Sequence, residues 1–85
     1  MRSALLILTL IAMAYAVEIN PAKVELVGKS VMVNGRLYPL SKNVLVKNIT
    51  GENLSLESIK DARAIKIEFN QSGEIVSITV LGWWD

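Results

Sequence analysis

Residues 63–81, Arg63-Ala64-Ile65-Lys66-Ile67-Glu68-Phe69-Asn70-Gln71-Ser72-Gly73-Glu74-Ile75-Val76-Ser77-Ile78-Thr79-Val80-Leu81, decide the fold of this 85-residue chain. Ile65, Ile67 and Phe69 share one face of an extended segment and Lys66 and Glu68 the other, because side chains on a strand alternate with a period of two. The polar stretch Asn70-Gln71-Ser72-Gly73 breaks the pattern, and Gly73 suits a left-handed backbone position in a turn. Alternation then resumes, with Val76, Ile78 and Val80 expected inward and Ser77 and Thr79 outward. Two such strands around a short turn make a β-hairpin.

The same period recurs upstream. Lys23-Val24-Glu25-Leu26 alternates as far as Val27-Gly28-Lys29, where Gly28 permits a turn or bulge. Val31-Met32-Val33 and Arg36-Leu37-Tyr38 flank Asn34-Gly35, and Asn-Gly between apolar runs is a strong hairpin signal. A type I′ turn needs positive φ at both central residues, and these two residue types tolerate it. Pro39 has no N–H and marks the edge or end of its strand. Ser41-Lys42-Asn43 is a polar break before Val44-Leu45-Val46, which is either a separate strand or the far side of a bend. Leu54 to Lys60 reads as one or two helical turns with Ser55 as N-cap. Leu56 and Ile59, three apart, face inward and plug one open end of the strands.

The expected fold class is therefore all-β. It is a small five- or six-stranded antiparallel barrel or partly open roll in OB-like order, with one short helical turn, preceded by an N-terminal signal helix.

That signal segment explains an uneven composition. The chain is 52% apolar, yet thirteen of its first sixteen residues are apolar and their one charge is Arg2. A short basic start, an apolar run from Ala4 to Met13 broken only by Thr9, and the small-x-small pattern Ala14-Tyr15-Ala16 together describe an export leader cleaved near Ala16. As a helix, Ala4 to Val17 would reach about 21 Å, short of the roughly 30 Å hydrocarbon core that a membrane anchor must cross. The expected organisation is a signal peptide over residues 1–16 and one small β-barrel domain over residues 17–85. The product is periplasmic or extracellular, and touches a membrane only if the leader stays uncut. No Cys follows the run, which excludes a lipid-anchored lipoprotein.

Composition also bounds the chemistry. The chain has no His and no Cys, so nucleophile–imidazole pairs and imidazole or thiolate zinc sites are excluded. Nine basic against eight acidic residues leave a formal charge of +1, which is Arg2 and leaves with the leader. Neutrality, with basic residues interleaved among acids, argues against nucleic acid despite its association with OB barrels. Glu25, Glu68 and Glu74 fall on outward strand or turn positions, and Glu52, Glu57 and Asp61 in the central loop. Nothing in their spacing makes two converge across a cleft, as paired catalytic carboxylates must. The oxygen-rich stretch Asn48 to Asp61 has only Glu52 inside the loop proper, too little ligand charge for calcium. No catalytic residue, cofactor or metal site is expected.

Binding is better represented. Adjacent Trp83 and Trp84 point to opposite faces of an extended tail. They form either a cap on the barrel end with a flanking ring, or an exposed aromatic anchor for a protein or lipid headgroup. With Tyr38, the aromatic at a central strand position, they are the candidate partner-binding residues. Three Asn-x-Ser/Thr sequons, at Asn48, Asn53 and Asn70, fall in expected turns, where Asn, Ser and Thr collect in any case.

The order of these elements is familiar. Val24-x-Leu26-Val27-Gly28, Val31-x-Val33-Asn34-Gly35-Arg36-Leu37-Tyr38-x-Leu40-Ser41, Leu56-x-x-Ile59, Ile65-x-Ile67-x-Phe69 and Gly73-Glu74-Ile75-Val76-Ser77-Ile78 resemble small exported bacterial β-barrel domains. Among these is an accessory protein of type IV pilus biogenesis. The resemblance spans roughly residues 22–81 and departs from the pattern at Asp61-Ala62, where a Gly commonly follows the helical turn. It implies no enzyme activity. It implies instead an exported interaction or accessory module with a protein partner in the cell envelope, docking through exposed β-edges and the aromatic tail. The alternative is an OB-type binding module for a small ligand, saccharide or oligonucleotide.

Overall fold

The computed structural model describes residues 14–84. The expected signal helix lies outside them except for Ala14, Tyr15 and Ala16. The strands are β1 (Tyr15–Ile19), β2 (Val24–Val27), β3 (Ser30–Val33), β4 (Arg36–Asn48), β5 (Ala62–Phe69) and β6 (Ile75–Trp83). One 3₁₀ helix, η1 (Leu56–Asp61), precedes β5. All six strands belong to a single mixed sheet in the order β1-β5-β6-β4-β3-β2.

Both expected hairpins form. β3 and β4 pair antiparallel with Val33 opposite Arg36. The turn between them holds Asn34 at φ 51° and Gly35 at φ 85°, the positive pair that an Asn-Gly turn requires. Asn34 also braces the segment beside it: its Oδ1 accepts from the Lys23 N–H at 2.7 Å and its Nδ2 donates to the Pro21 carbonyl at 3.1 Å. β5 and β6 form the second hairpin, with Gly73 at φ 84°. The segment from Arg36 to Asn48 is one strand, bent where its register shifts between Leu40 and Leu45.

Three features depart from the expected antiparallel barrel. First, β4 and β6 run parallel. A parallel pair needs a crossover of about a dozen residues or more, and the stretch from Ile49 through η1, β5 and the Asn70–Glu74 turn supplies it. Second, the sheet is open. Its ladders stop at β1 on one side and β2 on the other. The chain between these two strands passes through Pro21, which has no N–H to donate; there Ala22 N–H bonds the Arg63 carbonyl at 2.6 Å and the Lys23 carbonyl accepts from Asn34 N–H at 2.9 Å. Third, β1 is an additional strand. It begins inside the expected leader and pairs with β5 from Tyr15 opposite Phe69 to Ile19 opposite Ile65.

The core draws on β2 to β6 and on η1. Val31, Val33, Ile59, Ile65, Ile67, Ile75, Ile78 and Val80 are its largest fully enclosed side chains. Ile59 enters from η1 and Leu56 packs beside it, as their three-residue spacing requires. Ser55 occupies the N-cap but makes no side-chain cap bond; its carbonyl accepts from the Ser58 N–H and hydroxyl instead.

The inward row of β6 differs from simple alternation. Ile75 stands opposite Phe69 and Ser77 opposite Glu68, so two residues of β6 match one step of β5. This bulge turns Ile75 into the core, leaves Val76 half-buried and encloses Ser77. The Ser77 hydroxyl is buried with no hydrogen-bond partner. An unsatisfied hydroxyl costs about 1–3 kcal/mol, so Ser77→Ala should leave stability unchanged or raise it by about 1 kcal/mol. The urea midpoint checks this; a loss of stability would show that the hydroxyl has a partner in solution.

Candidate functional site

Side chains at alternate positions of β1 point to one side, and Tyr15, Val17 and Ile19 therefore form a row. Across from them stand Tyr38 on β4 and Arg36 beside the Asn34–Gly35 turn. Phe69, at the end of β5, links the two walls. Its ring stacks on Tyr15 with centroids 4.8 Å apart and planes at 21°. Tyr38 meets it at 5.4 Å and a tilt of 53°. These six residues line an open groove of about 240 Å³. Phe69 is buried, whereas Tyr15 is 54% exposed, so two tyrosine rims stand over an apolar contact. Arg36 adds a cation at one end.

The groove keeps only one of the three expected binding residues, Tyr38. Trp83 pairs with Ala62, at the opposite end of β5 from Phe69. At about 3.3 Å per residue this places the tryptophans roughly 20 Å from the groove. Trp84 is half strap and half surface. Its Nε1 donates to the Ala22 carbonyl at 3.1 Å and its backbone N–H to the Asp61 carbonyl at 3.0 Å, while half of the residue faces solvent. Trp83, 42% exposed, lies beside it. The tail thus ties the end of β6 to the β1–β2 connection.

Of the groove residues only Tyr38 was legible as a site residue, and the other two rings that line the groove were not. Tyr15 looks like the middle of an Ala-x-Ala cleavage pattern, and Phe69 like an ordinary inward position of β5.

Two of the sequons carry a structural role. In Asn48-Ile49-Thr50-Gly51-Glu52, Asn48 Oδ1 accepts from the Thr50 N–H, the Thr50 hydroxyl and the Glu52 N–H, and Asn48 Nδ2 donates to Glu52. Asn70-Gln71-Ser72-Gly73-Glu74 repeats the arrangement, with Asn70 Oδ1 accepting from the Ser72 and Glu74 N–H groups and Nδ2 donating to Glu74. Both turns also close with a Gly N–H to Asn carbonyl bond, 2.9 Å at Gly51 and 3.1 Å at Gly73. The amide nitrogens that a glycan would use are holding turns together. Glu52, the acid that a calcium reading would need, is tied to Asn48. Among the described residues no three acidic side chains gather as a metal site would require, and no helix is long and apolar enough to cross a membrane.

Comparisons with protein-family models, curated proteins and solved structures gave no match. The groove is therefore read from its own chemistry.

The strap and the groove are separable. Trp84→Phe keeps an aromatic ring but leaves the Ala22 carbonyl without its indole donor, and should lower stability by about 1 kcal/mol. A shifted denaturation midpoint with an unchanged m-value would register this loss. An unshifted midpoint would mean that the bond contributes nothing.

Proposed function

We propose that this chain is a non-enzymatic, exported interaction module of the cell envelope, delivered through a leader cut near Ala16, which holds an extended segment of a partner protein along β1. The observation that carries this reading is the position of β1. It is an end strand of the sheet, paired on one side only, and it borders the aromatic groove. An end strand presents backbone donors and acceptors to any strand laid beside it. Pockets along such an edge then select side chains. Tyr15 and Val17 are exposed there, and both line the groove. The resemblance to exported accessory domains, including one of type IV pilus assembly, supports the same setting.

The strand order favours an OB-type barrel as the finer description. β1 and β2 follow each other in the chain and occupy the two ends of the order, as the halves of one bent strand would. Five long elements then remain, with the helical turn between the third and fourth. The groove's lining by Tyr15, Tyr38 and Arg36 is the observation behind a second function: binding of a saccharide or oligonucleotide. Two tyrosine rings and a guanidinium are the groups that stack on sugars and bases.

One experiment separates the two. A photo-crosslinking side chain replaces Val17, and in a control replaces Leu45, an exposed residue of β4 outside the groove. In envelope extract the Val17 probe should form one discrete polypeptide adduct and the Leu45 probe none. Tyr38→Ala should reduce the Val17 adduct at least tenfold, a change of about 1.4 kcal/mol in affinity. Equal labelling from both positions would reject the edge as a docking site. Loss of the adduct on nuclease or glycosidase treatment would move the assignment to the second reading.

A further inference from the structure

The alanine pattern that ends the leader occurs twice. Ala14-Tyr15-Ala16 is one copy, and Ala12-Met13-Ala14 stands two residues earlier. Both offer small side chains at the two subsites that a signal peptidase reads, so composition does not choose between them. β1 does. Tyr15 is the first residue of that strand, stands opposite Phe69, stacks on its ring and walls the groove. The bond between Ala16 and Val17 lies inside the β1–β5 ladder, flanked by the pairs Ala16–Glu68 and Val17–Ile67. Ala14 is exposed and precedes the strand.

We propose that the leader is removed between Ala14 and Tyr15, so that the mature chain begins with the tyrosine of the groove. This rests on the export reading given above. The reaction is peptide hydrolysis: water adds to the Ala14 carbonyl carbon and the bond to the Tyr15 nitrogen breaks. The leader fragment keeps a carboxylate and Tyr15 gains an amine, which takes up a proton. The new cation emerges beside Glu68, whose side chain borders the same surface depression as Ala14, Tyr15 and Ala16. A cut after Ala16 would instead remove two of the five β1 register pairs and one of the two groove tyrosines. Only Val17, Glu18 and Ile19 would remain to pair with β5.

The test is intact mass and N-terminal sequencing of the full-length chain, expressed in a secretion-competent bacterial host and recovered beyond its inner membrane. A start at Tyr15 is expected. A start at Val17 overturns this inference and leaves export standing, whereas uncut chain retained in the cytosol overturns the export reading on which it rests. A second variant guards the result. Ala16→Leu blocks the subsite next to the bond if cleavage follows Ala16, but falls two residues beyond the bond if cleavage follows Ala14. Processing of Ala16→Leu at the parent rate is expected, and a tenfold accumulation of its precursor would sink the proposal.

Discussion

Burial of Ile65, Ile67 and Phe69 along β5 obliges two ladders, to β1 on one side and β6 on the other, to hold their registers together. A slip of one residue in either would turn a full row of side chains to the wrong face. The sequence has no cysteine to staple the fold, so this row, with Val31 and Val33 from β3 and Ile59 from η1, carries the domain. Each such side chain contributes about 1.5–3 kcal/mol when it leaves water. Small domains without cross-links survive only when burial of this kind is dense. The bulge at Val76 follows from the same constraint. It brings Ile75 inward against Phe69 and encloses the unpartnered Ser77 hydroxyl.

Local features of the chain were legible because their causes are local. Asn34-Gly35 specifies its turn through backbone conformation, and Gly73 does the same between β5 and β6. Ile65, Ile67 and Phe69 announce an amphipathic strand on their own. The parallel pairing of β4 with β6 has no such signature, since it depends on where the connection through η1 and β5 delivers the chain. The β6 face was misread at Val76 and Ser77 because parity counting assumes an unbroken ladder, and a bulge changes the parity. Alternation in Tyr15-Ala16-Val17-Glu18-Ile19 is masked by the apolar run before it, where a leader pattern and a strand overlap.

The candidate site was half legible for a related reason. Tyr38 stands out as an aromatic on a central strand, but its neighbours come from distant parts of the chain. Phe69 supplies the link between the walls, and only the β1–β5 register places Tyr15 on it. The tryptophan pair drew attention through residue type, which reports capacity for contact and not location. Trp84 spends its indole N–H on the Ala22 carbonyl and so serves the junction between β1 and β2. The repeated Asn-x-Ser/Thr-Gly-Glu turns show the same ambiguity: one set of residues satisfies a glycosylation pattern and a hydrogen-bonded turn.

β1 is anchored unlike the other strands. Like β2 it has one ladder, but its partner lies in the far half of the chain, and four of its five residues are exposed. Pairing across so long a loop is entropically costly and is repaid only by the contacts made at its end. The Tyr15–Phe69 stack is such a contact, placed where the strand would otherwise fray. The same weak attachment suits an edge that must accept a partner, since elements that move on binding come from the least stable parts of a fold. Losing a register position therefore weighs more on β1 than on β5, which is paired on both sides. The residue that fastens the strand is also the residue that rims the groove, so the hold of β1 on β5 and the shape of the binding surface are one constraint.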